Sequence, residues 1–327
     1  MCARPPGAGT LLAVRVLLVV NPKATRVTAT RRALVEQLLG AQHDLTVVET
    51  AARDHATDLA RDAVVQRFTH VVVLAGDGTL NEVVAALAGT EVAVAALPGG
   101  STNIFSRSIG QPDDLEAATR LVADAIRDGR SRRVGLGSVN GRAFLLHLGI
   151  GWDAELVSIV ERHAHLKPRL GHALFAYAGL RAFFGTYDRR RPHFAVQVCR
   201  DGQPDQVVSE AYFALVLNSD PYTYVHTRPF TADPDLTLEG PMTLVVLRSM
   251  RVARFLPVMW RALRGTGLRS TRWLTVVHDV EELAVRRLHT SAHPGMPHQV
   301  DGDLLGPADE LHVRHHPDAL VVVDPMR

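Results

Sequence analysis

Cysteine is nearly absent from this chain. Only Cys2 and Cys199 occur among 327 residues, too few for a disulfide framework, and a reducing cytoplasm is the expected setting. Long apolar runs are missing too: nothing reaches the roughly 18 uninterrupted apolar residues that a membrane-spanning helix needs. Neither sign of charge dominates. Lys and Arg number 36 against 34 Asp and Glu, a net charge of +2, so no global signal points to nucleic acid. There is no internal repeat and no low-complexity segment. Two common phosphate signatures are also lacking, since no Gly-Lys-Ser/Thr closes a Gly-rich loop and no Gly-x-Gly-x-x-Gly occurs. What remains is a chain with 46% hydrophobic residues, long enough for two ordinary domains and too apolar to be disordered.

The apolar stretch Leu11–Val20 ends in Asn21-Pro22 rather than in small residues, so it reads as a buried first strand and not as a leader. Residues 1–13 read as a flexible lead-in. Strand runs then alternate with helical patterns: Val14–Val20, Leu45–Glu49, Val71–Ala75 and Val92–Leu97 as strands, and Thr28–Leu39, Ala56–Gln66, Leu80–Ala88 and Leu115–Asp128 as helices. Continuous Val/Leu strands between amphipathic helices predict a doubly wound α/β domain, its parallel sheet covered on both faces. After Arg132 the pattern changes to shorter strands, Phe144–Leu148, Phe194–Cys199, Ala211–Leu217, Met242–Leu247, Trp273–His278 and Glu282–Arg286. One helical stretch, Asp153–Phe184, interrupts them, with a break near Pro168-Arg169. This predicts a mostly antiparallel, β-sandwich-like second domain.

Three polar loops follow strands of the first half: Asn21-Pro22-Lys23-Ala24, Gly76-Asp77-Gly78-Thr79 and Pro98-Gly99-Gly100-Ser101-Thr102-Asn103. In a parallel sheet all three lie at the carboxyl edge, where open α/β sheets bind ligands. Gly76, Gly78, Gly99 and Gly100 permit close backbone approach, and helix N-termini favour anions. Thr79, Ser101, Thr102, Asn21 and Asn103 add neutral donors. Asp77 beside phosphates implies a cation, Mg²⁺, or a held water.

With their continuations Leu80-Asn81-Glu82-Val83-Val84 and Leu97-Pro98, these loops resemble the diacylglycerol kinase catalytic-domain family, bacterial lipid kinases related to sphingosine and ceramide kinases. The resemblance runs from about Val14 to the C-terminus. It implies a nucleotide domain over 14–136, to which the tail 317–327 returns, a β-rich lipid domain over 137–316, and an active site between them. It implies phosphoryl transfer from ATP to a lipid hydroxyl, most directly diacylglycerol to phosphatidic acid. Asn21, Pro22, Lys23, Gly76, Asp77, Gly78, Thr79, Asn81, Glu82, Gly99, Gly100, Ser101, Thr102 and Asn103 would hold ATP·Mg²⁺, with Asp77 at the metal. The family's late Asp-Gly-Glu, whose Glu is the general base, is matched by Asp301-Gly302-Asp303, which makes Asp303 the candidate base. Alone, Asp-Gly-Asp is a common hairpin turn.

Departures from the family are Ile104, Gly135 and Leu238, where acidic residues of a metal and water network often stand; Asp233 and Asp235 are nearby substitutes. NAD kinases share part of the glycine signature, and a non-catalytic nucleotide- or lipid-binding protein is the rival from another class. Among the sixteen histidines, His163/His165 and His312/His315/His316 lack a convincing metal-ligand set and read as solvated or core residues. Cys199 reads as a buried small hydrophobe. Arg189-Arg190-Arg191 is either a solvated loop or a contact for anionic head groups. Ala173–Phe184, rich in Leu and aromatics, is either core or the wall of an acyl-chain pocket. Met250–Arg264 has the two faces, basic and apolar, of a helix at a membrane surface. The partner expected is a lipid at that surface, by peripheral contact; a homodimer stays open.

Overall fold

The computed structural model describes residues 14–163, 172–199, 206–225, 227–288 and 295–326. The lead-in 1–13, His165 and the Pro168-Arg169 break lie outside the described residues.

The first half runs β1 (Arg15–Val20), α1 (Ala29–Gly40), β2 (Asp44–Glu49), α2 (His55–Val65), β3 (His70–Ala75), α3 (Asp77–Leu87), β4 (Ala93–Pro98), α4 (Ile104–Ser108) and α5 (Leu115–Arg127). The strands pair in parallel in the order β2-β1-β3-β4. Alternation sorts their side chains. Leu17, Val19, Val71, Val73 and Val94 pack with Ala60, Val83 and Leu87 from α2 and α3. Val16, Leu18, Val72, Leu74 and Ala95 pack with Val35, Leu39, Val122 and Ile126 from α1 and α5. Both faces are buried, which is why these strands read as unbroken apolar runs. Thr28 caps α1, its side chain accepting the Arg31 N–H at 3.3 Å.

The second half runs β5 (Ser131–Val139), β6 (Arg142–Phe144), β7 (His147–Gly151), α6 (Trp152–Arg162), α7 (His172–Arg181) with a π-helical turn over Ala182–Thr186, β8 (Phe194–Cys199), β9 (Gln206–Ala211), β10 (Phe213–Leu217), β11 (Thr223–Val225), β12 (Arg228–Phe230), β13 (Met242–Leu247), α8 (Val252–Leu263), β14 (Leu274–Val280), β15 (Glu282–Arg287), β16 (Met296–Val300), β17 (Asp303–Ala308) and β18 (Glu310–Val323). An antiparallel six-stranded sheet has the order β14-β13-β10-β7-β16-β17. Its Ile150, Val216, Leu244 and Val246 pack against Val196, Val198, Leu283, Val285 and Val313 of β8, β15 and β18, closing a sandwich core.

The long β18 joins the two halves. Glu310–Arg314 pairs with β15, Val313–His316 with the end of β5, and Leu320–Val323 with its start, the register shifting between His316 and Leu320. Val322 pairs in parallel with Val94 of β4. A single ten-stranded sheet therefore runs from the parallel layer into the sandwich.

The predicted architecture is observed, with local differences. Phe144–Leu148 is split between two strands in different sheets. Ala211 ends β9, and β10 starts at Phe213. Strands β5, β16 and β17 carry Gly135, Gly137, Pro297, Gly306 and Pro307, which mask a strand pattern. Cys199 is half-buried at the end of β8. Among the described residues no helix is long and apolar enough to cross a membrane.

Val322 is 1% exposed in the seam between β4 and β5. Val322→Asp places an unpaired charge there, and urea denaturation should show a loss of at least ~3 kcal/mol. An unchanged midpoint would mean that the last strand stands outside the cooperative fold.

Candidate active site

The loops after β1, β2 and β3 meet at the carboxyl edge of the parallel sheet. Asn21 Nδ2 donates to Thr79 Oγ1 at 2.9 Å, and Asn21 Oδ1 accepts the Lys23 N–H at 3.0 Å, so the first loop is tied to the second. Helix α3 begins at Asp77, and Gly78 and Thr79 in its first turn line a recess of about 290 Å³. Asn21, Lys23, Thr50, Ala51, Ala52, Arg53, Glu82 and Asp303 complete the lining. The N-terminal turn of an 11-residue helix shares this recess with Lys23 and Arg53, a setting for an anion.

The glycines divide into two roles. A Cβ on Gly99 would lie 2.8 Å from the Ala75 nitrogen, and one on Gly100 would lie 2.7 Å from the Gly76 Cα. These two glycines let the second and third loops touch. A Cβ on Gly78 would meet nothing within 4 Å, which leaves this backbone open to the recess.

Two expected ligand residues are used inside the protein. The Asp77 carboxylate accepts the Ile104 and Phe105 N–H groups at 2.9 and 3.1 Å, so it caps α4 from the neighbouring loop. Burial raises its pKa, and these two bonds pull it down. Buried Asn103, with φ of 50°, accepts the Gly100 N–H at 2.8 Å and donates back to the Gly100 carbonyl at 3.2 Å. Asn81 is buried on α3, and Glu82 accepts the Ala56 N–H at 3.2 Å at the start of α2. Pro22 and Ser101 are exposed at the loop tips. Thr102 faces a different cavity, described below.

The turn between β16 and β17 supplies two carboxylates with different surroundings. Asp301 is buried and accepts three N–H groups, from Leu145, Leu146 and His147, at 2.8 to 2.9 Å. Burial pushes it up to about 7 against those three donors. Here the run Phe144–Leu148 breaks: the chain leaves one sheet for the other at Leu145-Leu146, and Asp301 takes the N–H groups that no strand pairs. Asp303 instead stands in the recess, between Arg53 at 3.3 Å from the first half and Arg142 at 3.1 Å from the second.

An apolar cavity of about 690 Å³ adjoins the third loop at Thr102. It lies between the outer face of the six-stranded sheet (Phe213, Leu215, Val245, Leu247) and α7, α8 and the π turn. Trp152, Phe183 and Phe255 pack their rings around it, with centroids 4.5 to 5.2 Å apart. Its carboxylate is that of buried Asp153, which accepts from Tyr222 Oη at 2.5 Å and from Gln299 Nε2 at 2.6 Å. Gln299 Oε1 accepts the Gly302 N–H at 2.7 Å. A hydrogen-bonded path therefore links the cavity to the turn that carries Asp303.

A family model for the diacylglycerol kinase catalytic domain matches residues 15–139, the segment that holds all three loops. Those residues belong to the diacylglycerol kinase family. The chain is 28% identical over 257 residues to the diacylglycerol kinase of Bacillus subtilis (strain 168), covering 77% of this chain and 79% of that one. It is 26% identical to the diacylglycerol kinase of Staphylococcus carnosus, over 82% of this chain and 83% of that one. A crystal structure of a diacylglycerol kinase from Bacillus anthracis str. Sterne shares the fold, with a TM-score of 0.67 at 22% identity over 95% of this chain and 97% of that one. The chain is a lipid kinase.

The acidic positions that often form a metal network in the diacylglycerol kinase family are filled otherwise here. At Gly135 a Cβ would lie 2.2 Å from His315 Nε2, so the imidazole takes the space. Leu238 is buried, and its carbonyl accepts the Gly135 N–H at 2.7 Å. Asp233 is committed to Thr243 at 2.6 Å and His278 at 2.7 Å. Among the described residues no three His, Cys, Asp or Glu side chains gather as a metal site. With Asp77 occupied by backbone N–H groups, the residues present do not fit a resident metal.

Sequence reasoning missed Thr50, Arg53 and Arg142. The first two were within reach, because Thr50–Asp54 follows a parallel strand as the other loops do. Arg142 reaches the recess only through the sheet switch at Leu145-Leu146, which no local pattern announces. Asp301 was read only as part of a turn. Asp301→Asn exchanges an acceptor oxygen for a donor facing those N–H groups, and unfolding should cost about 1–3 kcal/mol of stability. Asp303→Asn, in the open recess, should shift the denaturation midpoint little; equal effects of the two would contradict this division of labour.

Proposed function

We propose that the enzyme transfers the γ-phosphoryl group of ATP to the hydroxyl of diacylglycerol, giving phosphatidic acid. The observation that carries this reading is the adjacency of two unlike spaces. A small polar recess edged by a helix N-terminus and two cationic side chains is linked to a large apolar cavity through Asp153, Gln299 and Gly302. The third loop lines the cavity while packing on the second loop, whose Gly78 and Thr79 line the recess. ATP needs the first and an acyl chain the second. NAD, polar throughout, would leave the second unused.

In this reading the triphosphate lies against Gly78, Thr79 and Asn21, with Lys23 and Arg53 balancing its charge; magnesium arrives as part of the ATP complex. Asp77, Asn103, Gly76, Gly99 and Gly100 hold the loops in shape rather than touching the ion. The acceptor hydroxyl enters from the cavity past Thr102 and Asp153. Its oxygen bonds to the γ-phosphorus as the bond to the bridging oxygen breaks, ADP leaves, and the hydroxyl proton passes to Asp303. Arg53 and Arg142 hold Asp303 in the recess; phosphates competing for Arg53 would free one of its oxygens. Such an enzyme works at a membrane surface, on the cytoplasmic side.

Asp303→Asn should lower turnover by roughly 10²-fold or more while ATP binding survives, because the phosphate contacts lie on the first half. Asp303→Glu, the family's usual residue, should retain part of the activity. Radiolabelled ATP offered with diacylglycerol, sphingosine, ceramide and NAD should label diacylglycerol first. Wild-type kinetics in folded Asp303→Asn would remove this residue from the mechanism.

A further inference from the structure

Exposed large apolar side chains are concentrated on one face. Tyr177, Leu180 and Phe184 of α7 and its π turn, and Leu256 and Trp260 of α8, are 49 to 62% exposed, joined by Phe175 and Val252. The remaining exposed large apolar side chains among the described residues are Val65, Val207, Val225 and Met326, and Val225 lines the same cavity. Helix α8 buries Phe255 and Ala262 and leaves Val252, Leu256 and Trp260 outside, so its apolar side is wider than the core uses. Phe175, Leu180, Phe184, Val252 and Leu256 also line the apolar cavity. The exposed patch is the rim of that cavity.

Phe184 also borders a groove of about 1060 Å³ lined by Arg189, Arg190, Arg191, Arg248, Arg251 and Arg254, against two carboxylates, Asp188 and Glu210. None of the six arginines is in an ion pair among the described residues. Arg189 lies over the Phe183 ring at 4.4 Å and Arg254 over Trp273 at 3.1 Å. Burial, then the nearby Arg251 and Arg272, hold Arg254 below the usual guanidinium value, and six guanidiniums against two carboxylates leave the groove net positive. Six guanidiniums beside an apolar rim match a surface of phosphates over hydrocarbon.

We infer that this face seats on an anionic lipid surface, with Leu180, Phe184, Leu256 and Trp260 in the interface and the arginine groove on lipid phosphates. The mouth of the cavity then opens into the bilayer, and an acceptor lipid enters without crossing water. The purpose of this docking rests on the lipid-kinase reading; the patch and the groove do not.

Co-sedimentation of the full chain with vesicles tests it. The protein should bind vesicles of equimolar phosphatidylcholine and phosphatidylglycerol, ignore phosphatidylcholine alone, and lose binding as salt screens the surface charge. Arg191→Glu/Arg248→Glu/Arg251→Glu should weaken vesicle binding by roughly 10²-fold. Trp260→Ser, outside the cavity lining, should weaken it without changing the salt dependence. Phosphorylation of a water-soluble short-chain diacylglycerol should be unaltered in both variants. Equal binding to the two vesicle types, or an arginine variant that binds like the wild type, overturns the inference. Anionic-vesicle binding without transfer to any lipid would instead sink the kinase reading and leave the docking face standing.

Discussion

The carboxylate of Asp301 accepts three backbone N–H groups at the point where the chain steps from one sheet to the other. Buried N–H groups without partners cost free energy comparable to a lost hydrogen bond, so a strand can change sheets in the interior only where something else accepts them. Asp301 does this and ends β6 at Phe144. The same turn then brings Asp303 two residues later into the recess, opposite loops from the other half of the molecule. The second half thus reaches the carboxyl edge of the parallel sheet through a hydrogen-bond requirement of the backbone.

The remaining cleft follows from close approach between loops. Gly99 and Gly100 permit backbone contact that any side chain would prevent, and Asp77 fastens the joined loops by capping α4. A lipid kinase must bring a highly charged donor and an apolar acceptor to one point without mixing their environments. Here the charged recess faces the parallel sheet edge and the apolar cavity faces the outer layer of the sandwich. Asp153, Gln299 and Gly302 form the polar seam between them. Under the proposed function, this arrangement separates the apolar space from the phosphates.

Several features could be read without coordinates. Strands buried on both faces carry unbroken Val and Leu runs, so β1, β3 and β4 were visible along with the helices between them, and Thr28 announced its own cap. The loops were visible because a parallel sheet forces every strand-to-helix turn to the same edge. Residue type was less informative about what each loop side chain touches. Asp77 and Asn103 have the chemistry of phosphate or metal ligands, yet both are spent on backbone N–H groups of the loops themselves.

What only the tertiary structure decided is which polar groups were already satisfied. A carboxylate in sequence has the same capacity whether it meets a cation, a helix end or water; partners far along the chain choose among these. Arg142 lies 161 residues from Asp303 and the N–H groups that hold Asp301 lie 154 to 156 residues away, separations over which no periodicity reports. Likewise the apolar pattern of α7 and α8 was plain in the sequence. Whether that pattern faced the core or the outside was settled by packing: α8 buries Phe255 and Ala262 and leaves Val252, Leu256 and Trp260 outside. The sequence by itself thus determined the layers, the edge and the family; packing determined the occupant of each side chain's hydrogen-bonding capacity, because that capacity is filled by whichever neighbour the fold delivers.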